Sequence, residues 1–147
     1  MRALYFIRVL FVSIEALLII AASYLLIEHQ SWADSIAKST SINEDILKGL
    51  NLIPLGLAVW IFTEAKKLVF EKESHAKLLT AWPDFWKLKC HIYASLLYAT
   101  GFTVVSLLPW LDKRGISIGA GLVLFLLGLG GQSIVAASIY RDRKSVV

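Results

Sequence analysis

The side chain best placed for chemistry in this 147-residue chain is Glu15, because it falls midway along an apolar stretch that runs from Ala3 to Ile27. A carboxyl group at such depth is protonated, paired, or turned toward a polar cavity. Arg8 sits on the same helical face but about 10 Å away along the axis, too far for an easy pair. Polar groups at comparable depth elsewhere are Thr100 and Thr103 in one later stretch, and Gln132 and Ser133 in another. Two readings of Glu15 follow: proton or ion handling, or a neutral carboxyl bonded to Gln132 or a threonine that locks the helices together. Other chemistries lack their residue sets. The single cysteine, Cys90, excludes an internal disulfide, and Cys90-His91 offers two ligands against the four of a closed zinc site, so no metal and no cofactor are expected. His29, His75 and His91 all lie in or beside loops, and no Ser-His-Asp set is visible.

Two further patterns carry information. Ser117, Gly121, Leu124, Gly128, Gly131, Val135 and Ser138 recur at alternating steps of four and three, placing mostly small residues on one helical seam. That seam packs either within the bundle or between copies of the chain. Trp82-Pro83-Asp84-Phe85-Trp86 is followed by Lys87 and Lys89. It reads as an aromatic belt with snorkelling bases, or as a docking site for a cytoplasmic protein. Pro83 suits a helix start, with Asp84 near its positive end.

The elements that must position these residues are membrane spans. Apolar residues make up 57% of the chain and the mean hydropathy is +0.67, outside the soluble range. Four stretches are long enough for a hydrocarbon core of about 30 Å. The expected spans are 3–27, 47–69, 91–110 and 116–140, giving an all-α polytopic bundle of four transmembrane helices. Asn51 and Pro54 predict a kink in the second span, which extends past the membrane surface on Ala65, Leu68 and Val69. Residues 28–46 read as a mostly polar external loop, with a short helical turn beginning over Asp34 to Lys38 and Trp32 at the interface, and residues 64–90 as a structured cytoplasmic segment. The short 111–115 link makes the last two spans a tight hairpin. Eleven Lys and Arg fall on one side and four on the other, so both termini belong in the cytoplasm and the inner membrane is the expected location. With a net charge of +4 and bases beside apolar spans, anionic lipid is the expected partner rather than nucleic acid.

Membrane glutathione-handling enzymes are similar in length, but their Arg-rich and Asn-x-x-Glu signatures are absent from the second span; the chain reads as non-enzymatic. With four spans and Glu15 midway along the first, it resembles the small multidrug exporters, which implies a proton-coupled exporter or channel centred on Glu15. Those exporters have shorter chains, and the residues that follow their glutamate are missing here. In architecture it also resembles immunity proteins against pore-forming bacteriocins and the membrane subunit of the two-gene Kiwa antiphage system. That likeness implies a membrane subunit in bacterial defence, one that forms a homo-oligomer and docks or senses a partner, and it is the reading the sequence favours.

Overall fold

The computed structural model describes residues 2–70, 83–111 and 117–146, and every element among them is helical. The elements are α1 (Arg2–Phe11), α2 (Ile14–Glu28), α3 (Gln30–Ser39), α4 (Glu44–Leu50), α5 (Leu52–Phe70), α6 (Phe85–Leu111) and α7 (Ile118–Val146). Helix α7 is the centre of the bundle: α6, α5, α2 and α3 all pack on it, and α5 also packs on α6. Ile61, Ile92, Ala99, Phe102, Val135 and Ile139 form the heart of the core.

The small residues of α7 explain why these helices come so close. A Cβ on Gly131 would overlap the ring of Phe102, one on Gly128 would meet the Ser106 hydroxyl and Pro54, and one on Gly121 would strike Leu47. At each of the three a neighbouring side chain occupies the space that a Cβ would need, so a larger residue there requires that side chain to shift.

Three helices are long and apolar enough to cross a membrane: Glu44–Val69, Phe85–Leu111 and Ile118–Lys144. A fourth span exists if the bent pair α1 and α2 counts as one.

Several boundaries differ from those expected. The first span is not one helix, since α1 and α2 meet at a 44° bend across Val12 and Ser13. Ser13 adopts an extended conformation and caps α2, its hydroxyl accepting the Ala16 N–H at 3.2 Å. A serine that competes for backbone hydrogen bonds can divert an apolar run whose hydropathy gives no hint of a break.

Residues 28–46 are mostly helical rather than loop. Ala33 and Ala37 are buried one turn apart, letting α3 lie flat against α7 beside Gly119. The helix ends at Ser41, whose φ of 54° is the left-handed turn-off typical of a helix terminus. Asn43 then caps α4 through the Ile46 N–H at 2.8 Å, with Glu44 and Asp45 in the first turn. Helix α4 gives way to α5 at Asn51, and Glu44–Val69 still counts as one apolar helix long enough to cross a membrane, beginning three residues before the expected Leu47. Helix α5 continues to Phe70, past Lys66 and Lys67. The third helix starts at Phe85, six residues before His91, and the fourth runs beyond Tyr140 to Val146. The 112–116 link and the part of the basic segment that includes Lys72, Lys77 and Trp82 lie outside the described residues.

Candidate functional site

The break between α1 and α2 positions Glu15. It occupies the first turn of α2, two residues after the Ser13 cap. The break is held by a hydroxyl pair: Tyr98 Oη on α6 donates to the Leu10 carbonyl, and Ser13 Oγ donates to Tyr98 Oη at 3.1 Å, with Leu10 O a second acceptor at 3.2 Å. The carbonyl left over at the end of α1 is thereby satisfied.

Between the two arms of the bent span and the helices α6 and α7 lies a cavity of about 860 Å³. Glu15 lines it and is only 9% exposed. Its carboxyl makes no hydrogen bond or ion pair with any described residue. The same cavity is lined by Tyr5, Arg8, His91, Ser95, Tyr98, Ser138 and Arg141. Tyr5 Oη and His91 Nε2 share a hydrogen bond of 3.1 Å. Arg8 makes no ion pair with a carboxylate among the described residues, whereas Asp142 lies within electrostatic reach of both His91 and Arg141. His91 to Tyr98 on α6 and Arg141 to Ile134 on α7 are each seven residues, so the cavity spans about 10 Å of helix from its basic rim inward. The arrangement is a basic rim above an unpartnered acid.

The other anticipated residues fall elsewhere. Gln132 is fully buried, but its amide goes to the Ala99 carbonyl at 3.0 Å and to Thr103 Oγ1 at 3.2 Å, not to Glu15. The lock between Glu15 and Gln132 is thus replaced by one between α6 and α7. The α7 seam is an internal one: Gly121, Gly128 and Gly131 are buried against Leu47, Ser106 and Phe102, which leaves none of the three for a second copy. Ser117 accepts hydrogen bonds from the Ala120 N–H and from Gln30, and Ser138 faces the cavity.

The aromatic corner is turned in part onto its own chain. The Trp86 ring meets Tyr5 edge-on at 5.1 Å and lies under Arg2 and Lys87 at 5.8 and 5.9 Å. Lys89 stands 4.8 Å over Phe85, and Asp84 pairs with Lys87 at 2.8 Å.

Sequence reasoning passed over Tyr98, Ser13 and Glu64. Glu64 is 6% exposed and takes Lys67 and Arg143 at 2.7 Å each, tying the ends of α5 and α7 together. An acid one turn before a lysine was the available signal; Arg143 lies 79 residues away and gave none.

Fold and site together define an all-helical bundle with three or four helices able to cross a membrane and one buried acid facing a cavity. No protein-family model, curated protein or solved structure matches the chain.

Proposed function

We propose that the chain is a polytopic inner-membrane protein that handles protons through Glu15, with both termini and the basic mouth of its cavity on the cytoplasmic side. The observation that carries this is a single one: an unpartnered carboxyl group, on a residue only 9% exposed, at a break in an otherwise apolar helical stretch and facing a cavity. Broken helices at membrane depth place polar backbone and charged groups where ions and protons bind. The cytoplasmic placement rests on the excess of Lys and Arg on that side. The broad apolar exposure of Leu4, Ile7, Phe11, Leu17, Ile20 and Ile27 supports contact with lipid along α1 and α2.

In this reading Glu15 takes up a proton from the cytoplasm and gives it back. Tyr5, Arg8, His91, Tyr98, Arg141 and the neighbouring Asp142 set the field in which it does so. The test is infrared difference spectroscopy on the protein in lipid vesicles, titrated from about pH 4 to 9. A carboxyl band that appears on acidification and vanishes in Glu15→Gln is expected; a band unchanged by that substitution overturns the assignment.

The rival reading is a non-enzymatic defence subunit that assembles with copies of itself and docks a cytoplasmic protein. It draws on exposed Asp84 and half-buried Phe85 and Lys87. It has less support, because Trp86 is engaged by Tyr5 and Arg2 and the α7 glycines are engaged within the chain.

A further inference from the structure

Three polar side chains in the core of α5, α6 and α7 are fully buried: Asn51, Ser106 and Gln132 are each 0% exposed. Each has an oxygen without a hydrogen-bond partner among the described residues, namely Asn51 Oδ1, Ser106 Oγ and Gln132 Oε1. Buried polar atoms are rarely left so, since each costs the water bonds it gave up.

Their heights in the bundle follow from contacts already described. Gly128 is level with both Ser106 and Pro54, as their atoms surround the place where its Cβ would be. Asn51 lies three residues before Pro54, about 4.5 Å along the helix, and Gln132 lies four residues beyond Gly128, about 6 Å in the other direction. The three orphan oxygens are thus staggered along the bundle axis with Ser106 in the middle. A water that makes two hydrogen bonds of about 2.8 Å joins polar atoms up to about 5.6 Å apart, the same order as these axial steps. The Gln132 amide bonds the carbonyl of Ala99, the residue after Tyr98, and Tyr98 lines the Glu15 cavity.

We infer that Asn51, Ser106 and Gln132 hold a single file of bound water that continues the Glu15 cavity through the bundle core and conducts protons toward the Asn51 end. This rests on the proton-handling reading of Glu15. The amide oxygens of Asn51 and Gln132 accept hydrogen bonds from water and orient it. The Ser106 hydroxyl both accepts and donates, so it passes a proton from the water on one side to the water on the other. One proton enters the file as another leaves it, and no oxidant, reductant or further reactant is required.

The key substitution is Ser106→Ala, which deletes an orphan hydroxyl and breaks no hydrogen bond among the described residues. Vesicles containing the protein and an internal pH-sensitive dye report proton flux after a potassium-diffusion potential is applied with valinomycin. The expected result is a wild-type flux that falls about tenfold in Ser106→Ala with folding intact. Nuclear magnetic resonance of the protein in nanodiscs should also show water cross-peaks to the side-chain amides of Asn51 and Gln132. A flux unchanged by Ser106→Ala, or a wild type with neither flux nor cross-peaks, overturns the file. If the Glu15 carboxyl band is present while flux and cross-peaks are both absent, only the file fails. If the cross-peaks and flux are present while the Glu15 band is missing, only the Glu15 reading fails.

Discussion

Removing the hydroxyl of Tyr98 should loosen the joint between α1 and α2 by an amount set by its two hydrogen bonds. In Tyr98→Phe the Leu10 carbonyl loses its donor from α6, but Ser13 Oγ lies 3.2 Å from the same oxygen and can turn to it. The net loss is therefore close to one ordinary hydrogen bond, about 1 kcal/mol. Ser13→Ala removes the α2 cap as well as the bond to Tyr98, for about 1 to 2 kcal/mol. Because the two hydroxyls bond each other, the double variant should cost less than the two single changes combined, by about 0.5 to 1 kcal/mol. Reversible unfolding in mixed micelles by titration with dodecyl sulfate gives these differences, and a spin label at position 11 reports whether α1 has come away from α6. Costs that add within about 0.3 kcal/mol would refute the shared lock, since independent sites behave that way.

Two other outcomes bear on the bundle. Gly131→Ala puts a methyl group into the fully packed ring of Phe102, and a loss of about 1 to 3 kcal/mol is expected, partly recovered in Gly131→Ala with Phe102→Leu; unfolding of both variants in micelles checks it. Glu64→Gln should lower stability by about 1 to 2 kcal/mol, an amount restrained by the half-exposure of Lys67 and Arg143, and the Arg143→Ala background should reduce that cost in a double-mutant cycle.

The helices were legible from hydropathy because length and composition alone decide whether a segment can cross a bilayer. The interruption at Ser13 was not, since it depends on a tyrosine 85 residues downstream reaching Leu10 and Ser13. Residues 28–46 were misread for the opposite reason: polar residues cover the outer face of α3, while Ala33 and Ala37, which secure it, are small enough to look like filler. Asn51 was legible as a point of disruption because proline sits three residues on, and its Nδ2 indeed bonds back to the Leu47 carbonyl at 2.9 Å. Glu15 stood out by type and depth, but its surroundings come from four helices and could not be assembled from spacing along one. The glycine seam was visible as a seam; which surface it faced was a tertiary fact, decided by Phe102, Ser106 and Leu47.

The two arms of the broken span answer to different neighbours. Helix α1 rests chiefly on α6, through Tyr5, Trp86 and His91, whereas α2 rests on α7 and α3. The joint at Val12 and Ser13 is therefore the elbow of a lever whose arms are fixed to separate posts. Any sliding of α6 against α7 must change the elbow's angle, and with it the width of the space in front of Glu15. The close packing of Gly128 and Gly131 against Ser106 and Phe102 restrains that sliding, so contacts on one side of α6 govern how far the cavity in front of Glu15 can open.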